Sequence, residues 1–205
     1  MMKKLASRIA LIRASQGGDE SVSNALANEY ANYLRSKGHE LDEVDLSNVP
    51  YVDEWDEDYS NAEQARMRGV DAAVFASPVY NWGPSARMNA YMQNAIKSGQ
   101  NDYLPYTVLG AAGSPRATMA LGQIGQSMGM ESKGIGIGAP IVGTGGDVLY
   151  RGDRVTGVSK SMQKRLQENA DMLAMVAQAR RGSEKLASFC TRFFIKGANK
   201  IENTY

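Results

Sequence analysis

Three short stretches of this 205-residue chain gather the side chains that could do chemistry. The first, Ser15-Gln16-Gly17-Gly18-Asp19-Glu20-Ser21-Val22-Ser23-Asn24, offers hydroxyls, an amide and backbone N–H groups just ahead of a helical pattern, a combination that suits a phosphate. It has neither the Gly-x-Gly-x-x-Gly of dinucleotide loops nor a Gly-Lys-Ser ending, and Ser, Asp and Gly before a helix are also ordinary capping residues. The second, Ser77-Pro78-Val79-Tyr80-Asn81-Trp82-Gly83-Pro84, brings together two aromatics, an amide and two prolines. A planar ring needs flat apolar contacts and a few fixed hydrogen-bond partners, and such a segment supplies both; an aromatic turn packed on its own helix is the other reading. In the third, Ala111-Ala112-Gly113-Ser114-Pro115-Arg116, Gly113 lets main chain approach a ligand, unless it merely turns the chain from strand to helix.

The elements that would carry these stretches alternate in type. Apolar runs at Arg8–Ala14, Glu40–Leu46, Val70–Ala76, Tyr106–Ala112 and Lys133–Val142 read as five strands, the second with acids interspersed as near a sheet edge. Helical spacing follows the first strand at Val22, Leu26, Tyr30, Tyr33 and Leu34, with Gly38 as its stop, and recurs at Ser85–Lys97, Thr118–Met128 and Val158–Ala179. Residues 47–63 read as a long loop before a short helix near Glu63–Arg68. Strands alternating with helices predict right-handed parallel crossovers and a three-layer α/β sandwich, with the ligand crevice outside the carboxyl ends of the strands, where the three stretches converge.

Composition narrows the function classes. With 23 basic and 22 acidic residues the chain has no general electrostatic reason to bind nucleic acid or an anionic membrane. Its single cysteine, Cys190, allows no internal disulfide or cysteine metal cluster and fits a reducing, cytoplasmic setting. The start, Met1 to Arg8, has the basic character of a signal peptide, but only Ile9–Ile12 follow as an uninterrupted apolar run, so it reads as a first strand; no stretch is long enough to span a bilayer. Lone His39, after a helix-ending glycine, reads as a surface turn, and no metal site is expected. Residues 1–182 form one expected domain. The basic, aromatic extension 183–205 reads as an oligomer arm, a packed extension or a membrane-surface helix.

On these residues the chain, from about Arg8 to Ala179, resembles the NAD(P)H-dependent FMN reductase family. The family's Pro-x-Tyr-Asn motif, followed by a short turn, a proline and a helix, is matched by Pro78-Val79-Tyr80-Asn81-Trp82-Gly83-Pro84-Ser85-Ala86-Arg87-Met88-Asn89. Its first loop, Gly-Ser-x-Arg then Ser-x-Asn, is matched by Ala14-Ser15 and by Ser23-Asn24, without the arginine after Ser15. The resemblance implies a flavodoxin-like sandwich with a five-stranded parallel sheet and FMN held by Ser15, Ser21, Ser23, Asn24, Pro78, Val79, Tyr80, Asn81, Trp82, Gly113 and Ser114. It also implies NADPH or NADH as co-substrate, a flavin, quinone or other small electron acceptor, and a homodimer or homotetramer. The flavin carries the chemistry, so no side chain is assigned as catalytic. A flavodoxin-like electron carrier, which the near-neutral charge disfavours, and a flavin-binding regulatory or assembly protein are the alternatives.

Overall fold

The computed structural model describes residues 6–49, 56–96, 102–113 and 118–182. The extension 183–205, Ser114 and Arg116 lie outside them. Strand β1 (Arg8–Arg13) leads through a 3-10 turn at Gly18–Glu20 into α1 (Val22–Ser36), then β2 (Glu40–Asp45), α2 (Glu57–Arg68) and β3 (Ala72–Tyr80). A two-residue β4 (Gly83–Pro84), α3 (Ala86–Ala95), β5 (Pro105–Ala111) and α4 (Thr118–Ser132) follow. Short strands β6 (Ile135–Gly136) and β7 (Ile141–Gly143), the hairpin β8 (Val148–Arg151) and β9 (Arg154–Val158), and α5 (Lys160–Gly182) complete the described residues.

The sheet runs β2-β1-β3-β5-β6, with β7 also parallel to β5. β6 and β7 are thus two halves of one fifth strand, broken at residues 137–140. The resulting 2-1-3-4-5 strand order is that of the flavodoxin-like sandwich. Period-two alternation divides the core: Ile9, Leu11, Ala72 and Val74 pack under α1 and α5, while Ala10, Ile12, Ala73 and Phe75 pack under α2, α3 and α4. Both faces are covered, which is why the inner strands read as continuous apolar runs and edge strand β2 does not.

Several boundaries depart from the sequence expectations. α2 begins six residues earlier than expected, because Asp56 caps it by accepting from Tyr59 N at 2.7 Å. β3 continues through Pro78 to Tyr80, so half of the supposed third loop is strand. The β8–β9 hairpin was not foreseen, and it takes Val158 out of the last helix. His39 is buried rather than on the surface. Its N–H reaches back to Leu34 O at 3.1 Å, with Gly38 at φ 85° and Gly38 N on Arg35 O, a helix stop that folds the next residue onto the last turn. There its Nδ1 accepts from Ser7 N at 3.2 Å, joining the starts of β1 and β2.

Candidate ligand-binding cleft

Strand order reverses between β1 and β3, so the loops that leave them diverge to opposite faces and open a crevice at their carboxyl ends. A cleft of about 450 Å3 lies there, within the size range of small-molecule sites. Its walls are Ser15, Gly17, Glu20, Ser21 and Val22 from the first loop, Pro78, Val79 and Tyr80 from β3, and Ala111, Ala112 and Gly113 from the end of β5. Gly143, Thr144, Gly145 and Tyr150 close the far side.

The first loop is built largely from its own hydrogen bonds. Ser15, buried, accepts from Gly17 N at 3.3 Å. Ser21 is the cap of α1, accepting from Asn24 N at 3.2 Å while its Oγ lies 3.0 Å from that of Ser23. Ser23 is fully buried, and the Asn24 amide donates to Gly18 O at 3.2 Å. Ser15 and Ser21 therefore face the cleft, whereas Ser23 and Asn24 brace the loop from behind. The N–H groups of Val22 and Ser23, in the first turn of α1, have no intrahelical acceptor within reach.

At the second stretch β3 turns back on itself through Tyr80-Asn81-Trp82-Gly83, with Val79 paired to Pro84 and Tyr80 to Gly83. Asn81 at φ 48° and Trp82 at φ 64° make this a two-residue turn with both central residues left-handed. Its base is pinned by buried Ser77, whose Oγ accepts from Ser85 N at 3.0 Å; Ser85 in turn caps α3 and donates to Ala14 O at 3.4 Å. Pro78, Val79 and Tyr80 are thereby held against the end of β1. Tyr80 is 61% exposed and borders both the cleft and a smaller hollow of about 260 Å3 beside Gln16 and Arg87. Asn81 and Trp82 form the turn beyond the cleft wall, and Trp82 is 69% exposed.

Gly113 lines the cleft, and a Cβ built on it would meet no atom of the other described residues within 4 Å, so among those residues its missing side chain leaves space on the cleft side rather than serving packing. Thr144 and Tyr150 were not picked out from the sequence. Thr144 is oriented by Asp147, whose Oδ2 accepts from Thr144 N at 2.9 Å and lies 3.0 Å from its Oγ1. The signal was the run Gly143-Thr144-Gly145-Gly146 after the fifth strand, a small-residue loop at the ligand end of the sheet. Glu20 is the charged side chain of the described lining. Arg13, just before the first loop, is turned to β2 and α1, with Nη2 on Glu43 at 2.6 Å and Nη1 on Asn28 at 2.9 Å.

Among the described residues no group of three or more His, Cys, Asp or Glu is placed to hold a metal ion, and no helix is long and apolar enough to cross a membrane.

Known proteins supply a context for this geometry. The family described as "Flavodoxin-like fold" matches residues 7–119, more than half of the chain. An FMN-dependent NADH:quinone oxidoreductase of Burkholderia lata is 29% identical over an alignment 137 positions long, gaps included, that covers 56% of this chain and 66%, just under two thirds, of that protein. Among solved structures, the flavoenzyme NAD(P)H:(acceptor) oxidoreductase of Paracoccus denitrificans superposes with a TM-score of 0.63 at 14% identity over 84% of this chain and 98% of that one. A Streptococcus pneumoniae flavodoxin superposes with a TM-score of 0.58 at 14% identity, covering 82% of this chain and 99% of the flavodoxin. Likeness at such identities is a likeness of fold.

Proposed function

Since the chain belongs to the flavodoxin-like fold family, we propose that its cleft holds FMN and that the protein is a flavin-dependent oxidoreductase. In this reading it takes hydride from NADH or NADPH and passes electrons to a quinone, a second flavin or another small acceptor. The observation that carries the reading is the pinned hairpin at the β1/β3 switch point, which presents Pro78, Val79 and exposed Tyr80 to a cleft of about 450 Å3. The likeness to a Burkholderia lata protein named as an FMN-dependent NADH:quinone oxidoreductase supports the same activity.

The residues present fit a flavin at its ring end. Val79, Tyr80 and Ala112 offer apolar surface, and the open space over Gly113 admits a planar group close to main chain. At the other end Ser15, Ser21 and the first-turn N–H groups of α1 are the donors available to a phosphate. When bound, FMN supplies the hydride and electron chemistry. The chain's own part is to orient the ring through the hairpin, which Ser77 and Ser85 keep rigid, and to leave one side of the cleft open for donor and acceptor in turn. Asn81 holds the turn, Trp82 offers its exposed ring to the flavin from that turn, Ser23 and Asn24 hold the first loop, and no side chain is given an acid or base role.

The test is direct. Purified protein mixed with FMN should quench flavin fluorescence, and NADH or NADPH added without oxygen should bleach the yellow absorbance. A protein that neither binds FMN nor bleaches it with either nucleotide sinks the reading. Tyr80→Ala combined with Asn81→Ala should weaken flavin retention about tenfold or more, the scale of a lost aromatic contact with its turn. Unchanged retention would move the site elsewhere.

A further inference from the structure

The end of the cleft that would receive a phosphate carries negative charge and no described cation. Glu20 lines it directly, one residue before the cap of α1, and Thr144 on the opposite wall is tied to the Asp147 carboxylate. Between Arg13 and Arg35 the sequence contains Asp19, Glu20 and Glu29 and no Lys or Arg. Both flanking arginines are held by Glu43 of β2, Arg13 at 2.6 Å and Arg35 in a second ion pair. The loop's own side chains leave a phosphate only neutral donors: Ser15 and Ser21 accept from Gly17 N and Asn24 N, Ser21 and buried Ser23 share one hydroxyl contact at 3.0 Å, and the Asn24 amide is spent on Gly18 O. Glu20 is exposed and precedes the cap of α1 by one residue, so its negative charge competes with a ligand phosphate for the attraction of the positive end of that helix.

We infer that this cleft recognises its flavin by the ring and not by the phosphate, so that uncharged riboflavin is accepted on nearly equal terms with FMN. The inference rests on the flavin reading above and specifies which flavins the site takes. A phosphate near neutral pH carries close to two negative charges, and opposing it to Glu20 offsets what the free N–H groups of Val22 and Ser23 contribute. Salt should then act in an unusual direction. Screening relieves repulsion, so FMN binding holds constant or tightens as ionic strength rises, whereas a phosphate held by cations would loosen.

The experiment is equilibrium titration of the full-length protein with FMN and with riboflavin, followed by flavin fluorescence, at about 20 mM and about 500 mM salt, on either side of strong screening. The two dissociation constants should agree within about tenfold, and FMN should bind no more weakly at high salt. Glu20→Gln should tighten FMN several-fold and leave riboflavin unchanged. FMN binding more than about tenfold tighter than riboflavin, or weakening with salt, overturns the inference while leaving the flavin reading intact. Binding of neither flavin overturns both.

Discussion

Trp82 is a bulky aromatic residue held at φ 64°, in a backbone region that side chains other than those of Gly, Asn and Asp rarely adopt, with its ring 69% exposed. The left-handed conformation costs a non-glycine residue on the order of 1–2 kcal/mol, and nothing in the burial of the ring offsets that cost. Such a residue beside a ligand cleft points to use rather than to folding. Trp82→Gly supplies the residue that two-residue turns of this type prefer at their second position. After allowing for the extra freedom of glycine in the unfolded chain, it should raise stability by about 1 kcal/mol. In a domain of this length that is a rise of about 2–4 °C in thermal midpoint, read by circular dichroism. Flavin affinity should fall in the same variant. A midpoint that drops would mean that the indole ring supports the fold, and the functional account of its strain would be wrong.

The packing of β5 against α4 makes a sharper demand at Gly110. A Cβ there would clash with Leu121 Cδ1 and lie 3.0 Å from Ser77 O, so Gly110→Ala forces the fully buried Leu121 aside and presses on the strand that carries the hairpin. It should destabilise by about 2 kcal/mol, as overpacking commonly does. Leu121→Ala alone should cost about 2–5 kcal/mol through its cavity. Because the new methyl would occupy part of that cavity, the double variant should lose less than the sum, and urea midpoints that add without coupling would contradict the contact. The same elements explain what was legible in the sequence. Long apolar runs and helical spacing located all five sheet positions and the helices behind them, because their signal comes from local period and two-sided burial. β4, the break between β6 and β7 and the β8–β9 hairpin escaped because two to five residues carry too little period, and their shape is set by partners distant in sequence. At the site, Pro78-Val79-Tyr80 and Gly113 could be picked out by type and place. Thr144 and Tyr150 reach the cleft only through the path of the fifth strand, and the inward turn of Ser23 depends on helix phase at a cap. His39 was misjudged because a helix-ending glycine marks a turn without saying which side of it is covered.

Across the whole molecule the cores on the two faces of the sheet hold buried phenols, contributed by helices and, at Tyr106, by β5. On one face Tyr30 of α1 donates to Asn169 Oδ1 of α5 at 2.8 Å, and the amide of Asn169 donates to Ile137 O at 2.7 Å in the break of the fifth strand, so one chain of bonds ties both helices to the sheet. Burial, and secondarily the Asp171 carboxylate, hold the Tyr30 hydroxyl well above its ordinary pKa of 10.0. On the other face burial raises Tyr91 and Tyr106, and half-buried Tyr59 is pushed up to about 12, first by burial and then by Glu63. The folded state thus keeps these phenols protonated at pH values where the unfolded chain releases the protons. Their contribution is fully present below about pH 10 and is lost as pH rises from there through the raised folded values. Each phenol that ionises only on unfolding adds a slope of about 1.4 kcal/mol per pH unit. Tyr30→Phe should cost about 1–3 kcal/mol at neutral pH, since it leaves Asn169 Oδ1 buried without its donor. Above pH 10 its stability should fall less steeply than that of the parent, by about one proton's worth of slope. Urea midpoints measured from pH 8 to 11 would show the two curves converging; parallel curves would mean that Tyr30 titrates alike in both states and that its burial does not govern the alkaline limit of the fold.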